Sequence, residues 1–329
     1  MKIGIVGATG AVGRQMIECL EERDLKIDEL RLFASSSSVG KKISFKDEEI
    51  TVQEVKDDSF ESLDYVLGAV GNQLAQQYWP LIKKANAVFV DNSSAFRLKE
   101  DVPLVVPEIN GEDALKHSGL IANPNCSTII TMMAVAPINR LSKIRYMYAS
   151  TYQAVSGAGQ KGIEELEEQV EKLGNNESFI PKTFRKQIAY NCIPEIGSYI
   201  DNGYTAEEMK MQNEGAKILH LPELKVSCTC VRVPVYRSHA ISVDLVCEDK
   251  LDLDDVKKAI GSFPNVEYRD DIPTPLEVAD RDIVYVGRLR RDLCNDNGIN
   301  LWCCGDQIRK GAATNAVEII EYLQNNKQS

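Results

Sequence analysis

Histidine is scarce in this chain, with three in 329 residues. The common nitrogen and sulfur metal sites need histidine or cysteine at short, regular spacings. Cys228 and Cys230 are separated by one residue and Cys303 and Cys304 are adjacent, so neither pair has such a spacing and no metal is expected. Long apolar runs are missing too; none approaches the ~20 residues that cross a bilayer. The opening Met1-Lys2-Ile3-Gly4-Ile5-Val6-Gly7 enters a structured pattern directly and shows no signal-peptide cleavage site. Positive charge is in deficit: 38 Lys and Arg against 49 Asp and Glu give a net charge of −11. That argues against nucleic acid as a partner and leaves room for a local basic pocket around an anionic small molecule. Repeats, low-complexity tracts and obvious linkers are absent. Nine cysteines, an odd number scattered through a long chain, fit a reducing cytoplasm better than a disulfide framework.

Hydrophobic residues make up 43% and charged residues 26%, the balance of a soluble globular protein, and 329 residues exceed one ordinary core. Two domains are expected. The chain is organised around Asn123-Pro124-Asn125-Cys126-Ser127-Thr128. Before it stands the apolar pair Leu120-Ile121; after it Ile129, Ile130, Met132, Met133, Ala134, Val135 and Ala136 make an apolar run long enough for a buried helix. Pro124 disfavours helix for the residue before it, so the helix starts close to Cys126. Unpaired N–H groups and the helix dipole favour thiolate there. The competing reading is a buried structural cysteine, and the rest of the chain has to decide.

Residues 2–6 read as a buried strand running into Gly7-Ala8-Thr9-Gly10-Ala11-Val12-Gly13 and then a helix. Glycines between a strand and a helix allow a tight turn and close approach of the backbone to a pyrophosphate, which the helix N-terminus holds. The next strand, residues 30–34, ends in Ser35-Ser36-Ser37-Ser38, then Gly40-Lys41-Lys42. An NAD site usually places an acid at this point for the ribose 2′-hydroxyl. Hydroxyls and lysines stand there instead and favour a 2′-phosphate, hence NADP; the alternative is a flexible serine loop. Further parallel strands, residues 65–70 and 87–90, end in small or polar residues, the second in Asp91-Asn92-Ser93-Ser94, with a helix over 74–84 between them. Arg97 follows as a candidate anion binder, although loop arginines are usually solvated.

The second half changes character. Residues 144–155 form a long β-rich run that ends at Ser156-Gly157-Ala158-Gly159-Gln160-Lys161-Gly162. These glycines match a dinucleotide fingerprint but follow the wrong kind of strand, and Glu164, Glu165, Glu167 and Glu168 after them read mostly as a solvated helix face. Thr205 caps a helix that places Glu207 and Lys210 on one face. Arg232 lies in a strand over 226–235, where an arginine needs a partner. His239 precedes a strand over 241–247; strands also fit 283–289 and 301–304, with loop or edge strand at 263–272 and a closing helix over 312–323.

With these residues in view the chain resembles the aspartate-β-semialdehyde dehydrogenase family over essentially its whole length. The matching segments are Gly-Ala-Thr-Gly-Ala-Val-Gly from Gly7, Val-Asp-Asn-Ser-Ser from Val90, Pro-Asn-Cys-Ser-Thr from Pro124 and Thr-Tyr-Gln-Ala-Val-Ser-Gly-Ala-Gly from Thr151. Glu-Glu-Met-Lys from Glu207, Cys-Val-Arg-Val-Pro from Cys230, Ser-His from Ser238 and Val-Gly-Arg-Leu-Arg from Val286 follow in order. The resemblance implies a doubly wound, Rossmann-type α/β nucleotide domain, residues 1–125 plus 310–329. Between its parts it implies an inserted mixed α+β domain, residues 126–309, for substrate binding and dimerisation.

It also implies a chemistry: reductive dephosphorylation of L-aspartyl 4-phosphate to L-aspartate 4-semialdehyde by NADPH, through a cysteine thioester. That reaction serves the synthesis of lysine, threonine, methionine and diaminopimelate. Cys126 would be the nucleophile, His239 the acid/base and Gln153 an orienting group. Arg232 would clamp the α-carboxylate and Glu207 would meet the α-ammonium, with Arg97 and Lys210 on the phosphate and Asn125 beside the substrate. Gly7, Thr9, Gly10, Ala11, Val12, Gly13, Ser35, Ser36, Ser38, Asn92, Ser156, Gly157 and Gln307 would contact the cofactor. A homodimer or homotetramer follows from the same resemblance. Ser37 stands where family members often carry arginine, Asn72-Gln73 replaces smaller residues, and Gln307 stands where some relatives have asparagine. The rival readings are an N-acetyl-γ-glutamyl-phosphate reductase and a non-catalytic nucleotide-binding paralogue. Glu207 with Lys210 favours a substrate with a free amine over the first; Cys126 and His239 argue against the second.

Overall fold

The structure is a computed structural model that describes residues 1–327. Two residues of the expected C-terminal segment, 328 and 329, lie outside the described residues. The chain divides into two compact units, one of residues 1–125 with the chain from 311 onward, the other Cys126–Lys310.

In the first unit β1 (Lys2–Val6) is apolar on both faces and almost wholly buried, as a central parallel strand must be. It is followed by α1 (Ala11–Glu21), β2 (Glu29–Phe33), a hairpin of β3 (Lys42–Phe45) and β4 (Glu48–Thr51), then β5 (Tyr65–Gly68), α2 (Asn72–Lys84), β6 (Val88–Asp91) and β7 (Leu120–Ala122). The sheet runs β2-β1-β5-β6-β7 with every pair parallel. Ile3, Ile5 and Leu67 share one core with Met16 and Leu20 of α1 and with Val317 and Ile320 of the closing helix, Thr314–Lys327. The opposite face holds Phe33 edge-on to Phe60, and Trp79 stacked on Phe89. Helices on both faces make this a doubly wound, Rossmann-type sheet, with the strand order reversing between β1 and β5. The closing helix begins at Thr314, after a π-helical turn over Arg309–Ala313, and Asn315 ties it down by donating to Val105 O (2.9 Å) and Asn123 Oδ1 (2.6 Å).

The hairpin was not legible in the sequence. Its turn takes Lys46 through the left-handed region (φ +53°), where glycine or asparagine would have announced it. Arg97 is not a solvated loop residue. It is 6% exposed, with Nε donating to Asn123 O (2.9 Å) and Nη2 to Asn92 O (2.7 Å).

The second unit is built on a mixed sheet of order β11-β12-β13-β10-β8-β9. Its elements are α3 (Cys126–Leu141), β8 (Ile144–Gln153), α4 (Gln160–Gly174), α5 (Ala206–Ile218), β9 (Lys225–Arg232), β10 (His239–Cys247), α6 (Leu253–Gly261), β11 (Val266–Arg269), β12 (Val284–Arg291) and β13 (Gly298–Gly305). Apolar all round, α3 is buried from Ser127 to Ile138 and packs on the sheet between α5 and α6. The other face of the sheet is open, with Tyr146 and Tyr148 of β8 exposed. The strand through Arg232 ends there rather than at 235, because Pro234 has no N–H to continue the ladder.

Glu165 is the exception on an acidic face that is otherwise solvated or half-buried. It is 6% exposed and accepts from Gln169 Nε2 and from the main-chain N–H groups of Lys182 and Thr183, because the irregular chain after α4 folds back over it. Of the glycines at 157, 159 and 162, the first lies in a 3₁₀ turn, Val155–Ala158, that follows a strand of the mixed sheet, the second precedes α4 and the third lies within it, so they do not form a second nucleotide turn.

A capping box opens α5. Glu208 N–H donates to Thr205 Oγ1 (3.3 Å), and Thr205 N–H donates to Glu208 Oε2 (2.7 Å). Glu208 Oε1 also accepts from Cys230 N (3.0 Å), fixing the helix to β9. Thr205→Ala should cost about 1 kcal/mol. Glu208→Ala should cost more, about 2–3 kcal/mol, because two buried N–H groups lose their acceptor. Urea denaturation of both variants tests the order; equal midpoints would contradict it.

Candidate active site

Cys126 is the first residue of α3 and is partly exposed, whereas the helix behind it is buried. Its Sγ lies 3.5 Å from His239 Nε2. The imidazole is fully buried, and His239 follows Ser238, whose φ of +73° turns the chain into β10. His239 Nδ1 accepts from the main-chain N–H of Ala154 (3.1 Å), just past the end of β8. Burial and then the Arg232 charge push the imidazole pKa down to about 3, against Glu207 and a Ser238 main-chain hydrogen bond.

Gln153 and Arg232 are directly paired in the β8–β9 ladder. Arg232 is 6% exposed and donates from Nη1 to Ala154 O (2.6 Å). Burial holds its pKa below the ordinary guanidinium range, opposed first by Glu207 and then by Cys126. Gln153 accepts from Thr151 Oγ1 (3.0 Å) and donates from Nε2 to Glu207 Oε1 (3.3 Å), while Lys210 Nζ donates to Glu207 Oε2 (2.7 Å). The structure therefore brings Cys126, Gln153, Glu207, Lys210, Arg232 and His239 into one cluster. Gly157 belongs to it by its lack of a side chain: a Cβ there would sit 2.7 Å from Arg232 Nη1 and 3.3 Å from His239 Cε1. Gln307 joins two neighbouring segments, accepting from Ser238 N (2.7 Å) and donating to Ser156 Oγ. Two buried cysteines differ in kind. Burial pushes Cys247 up to about 11 and Cys304 up to about 12, which leaves them protonated and inert at neutral pH.

Arg97, Asn125, Asn92 and the glycine turn belong to the first unit. Gly7 takes φ +82°, and a Cβ on Gly13 would lie 2.2 Å from Gly7 O, so the turn is closed tightly against the start of α1. A cavity of about 450 Å³ opens there, lined by Gly7, Thr9, Gly10, Ser35, Ser36, Glu54 and Tyr78 among others. It lies at the C-terminal ends of β1, β2 and β5, where open α/β sheets bind ligands. Lys41 Nζ donates to Ser38 Oγ (3.3 Å), whereas Lys42 is held by Glu49 (2.8 Å). Glu54 was missed: the strand's own loop carries no acid, but the chain leaving the hairpin brings this carboxylate to the same cavity. Asn92 supplies a second sign of a ligand, since among the described residues its buried side-chain N and O have no hydrogen-bond partner. Among the described residues no group of His, Cys, Asp and Glu can hold a metal ion, and no helix is long and apolar enough to cross a membrane.

Comparison with known proteins agrees along the chain. Residues 2–117 match the semialdehyde dehydrogenase NAD-binding domain and residues 135–310 the semialdehyde dehydrogenase dimerisation domain. The aspartate-semialdehyde dehydrogenases of Bacillus subtilis (strain 168) and Aquifex aeolicus (strain VF5) are each 43% identical over 98% of this chain and 97% of their own. The crystal structure of aspartate semialdehyde dehydrogenase II from Vibrio cholerae, complexed with ASA, superposes with a TM-score of 0.97 at 42% identity, covering 98% of both chains. The Candida albicans aspartate semialdehyde dehydrogenase with NADP has a TM-score of 0.78 at 26% identity, again over 98% of both chains. On domain content, identity and coverage, the chain belongs to the aspartate-semialdehyde dehydrogenase family.

Proposed function

We propose that this oxidoreductase converts L-aspartyl 4-phosphate to L-aspartate 4-semialdehyde with NADPH, in the synthesis of lysine, threonine, methionine and diaminopimelate. The observation that carries this reading is the Cys126 Sγ to His239 Nε2 approach of 3.5 Å beside Arg232 and the Glu207–Lys210 pair. Cys126 attacks the acyl carbon, the phosphate leaves, and a thioester remains on the sulfur. The dinucleotide, when bound, supplies the hydride. N–H groups at the start of α3 stabilise the oxyanion, and His239 is the acid/base group. Arg232 spends Nη1 on Ala154 O, and the rest of its planar fork suits the substrate α-carboxylate. Glu207, held by Gln153 and Lys210, suits the α-ammonium. Lys210 and Arg97 are assigned to the phosphate end, and Asn125 to the substrate.

For the cofactor, the closed glycine turn and the unpartnered amide of Asn92 fit a dinucleotide. Ser35, Ser36 and Ser38 with Lys41 support a 2′-phosphate; Glu54 is the opposing charge. Ser156, Gly157 and Gln307 are assigned to its nicotinamide end. The dimerisation-domain match and the open aromatic face of the mixed sheet support a homodimer, with a tetramer as the larger form.

Four outcomes are expected. Cys126→Ser should lose turnover while keeping cofactor binding, measured by phosphate-dependent reduction of NADP⁺ with aspartate semialdehyde and by cofactor titration; near-normal activity would refute the nucleophile. The same assay with N-acetylglutamate semialdehyde should give no comparable rate. Gly157→Ala, by pushing on Arg232 and His239, should lower kcat/KM by about tenfold or more, equivalent to about 1.4 kcal/mol of lost transition-state stabilisation, with the melting temperature little changed. Lys41→Ala should raise the KM for NADP⁺ about tenfold and leave that for NAD⁺ alone, a loss of the size of one charge-assisted contact; parallel changes in both would remove Lys41 from the site.

A further inference from the structure

We propose that the main-chain N–H of Ala154 is a positioning group that holds His239 as the neutral Nε2–H tautomer, so that the imidazole meets Cys126 as a hydrogen-bond donor. The inference rests on the proposed reading of Cys126 and His239 as the reacting pair, and it changes how that pair works. A peptide N–H can only donate. Ala154 N lies 3.1 Å from Nδ1, so Nδ1 offers its lone pair and a proton there would face another donor. Two forms of the ring carry that proton: the Nδ1–H tautomer and the imidazolium. Both are disfavoured, and the remaining form points its only N–H from Nε2 at Sγ, 3.5 Å away.

The surroundings bear on the same choice. Arg232 donates to Ala154 O at 2.6 Å, which fixes the residue that fixes the ring, and its charge opposes an imidazolium. The ring is fully buried, so a charge on it would also lose hydration. The charged or titratable groups facing it from other elements are Arg232 of β9, Glu207 of α5 and Cys126 of α3; Glu207 and the Ser238 main-chain hydrogen bond favour the charged ring, and the imidazole pKa nevertheless falls to about 3. Next to Ala154, Val155 N–H donates to Val235 O (2.8 Å) and Val233 N–H to Gln153 O (3.0 Å), so the peptide groups around the key donor are anchored. The resting pair is then a sulfur facing a neutral donor and not a thiolate–imidazolium ion pair. The thiol's proton goes to solvent, and His239 supports the sulfur as a hydrogen-bond donor without losing its own proton.

With three histidines in the chain, ¹⁵N-histidine NMR of the whole enzyme can read this directly, the His239 signals being those lost in His239→Gln. The expected result is an unprotonated Nδ1 and a protonated Nε2 from about pH 5 to about pH 8, where an ordinary imidazole changes charge. An Nδ1–H tautomer, or a ring that titrates in that range, would overturn the proposal. A second readout uses iodoacetamide alkylation of Cys126 at neutral pH. His239→Gln keeps an N–H near the Nε2 position and should stay within about threefold of the native rate, whereas His239→Ala should fall about tenfold for loss of one charge-assisted hydrogen bond. Equal losses in both variants would show that the ring acts as a base and overturn the donor role. Neither readout uses substrate or cofactor, so an enzyme that failed to oxidise aspartate semialdehyde would refute the proposed reaction and leave this result to stand or fall by itself.

Discussion

The register of one sheet is the constraint on which the site depends. In the parallel β8–β9 ladder Gln153 faces Arg232, and in the antiparallel β8–β10 ladder Tyr152 faces Ala240. Those pairings set the ends of three strands together, so that Gln153, Ala154, Arg232 and His239 share one corner. A slip of one residue would turn every side chain of a strand to the other face. Arg232 and Gln153 would then leave the cluster even though the fold survived. The buried helix α3 completes the corner, because the chain can present Cys126 at its first turn only if the apolar turns behind it are fixed against the sheet.

The corner gathers charges that would be unfavourable alone. Arg232 is 6% exposed and Glu207 is held between Gln153 and Lys210. An unpaired ion at such depth is strongly disfavoured, and removal of one partner costs more than the pair contributes. A guanidinium with part of its fork uncommitted, next to a carboxylate already paired with a lysine, supports the proposed assignment of a zwitterionic substrate to this corner. The neutral imidazole fits the same economy, since a second positive charge beside Arg232 would add to the unfavourable energy of a buried site.

Much of this was legible in the sequence, for physical reasons that can be named. Glycines at 7, 10 and 13 between a strand and a helix have few uses, and Thr205 followed by Glu208 is a capping signature. Pro124 marked the start of the helix that carries Cys126. What stayed hidden depended on segments distant in sequence meeting in space. Glu54 reaches the nucleotide cavity by way of a hairpin whose turn lacks glycine. Glu165 is buried by an irregular stretch that no periodicity describes. Arg97 is sequestered by two main-chain carbonyls. The donor that orients His239 is a peptide N–H, which has no letter in a sequence at all.

The most direct test of the account is to look for the acyl group on sulfur. The enzyme is incubated with aspartate semialdehyde and NADP⁺ without phosphate, quenched in acid, digested and examined by mass spectrometry. The account predicts an aspartyl adduct on the peptide that carries Cys126, dependent on NADP⁺ and discharged when phosphate is added. Steady turnover with no adduct on Cys126, or an adduct on another residue that phosphate discharges at the turnover rate, would contradict it.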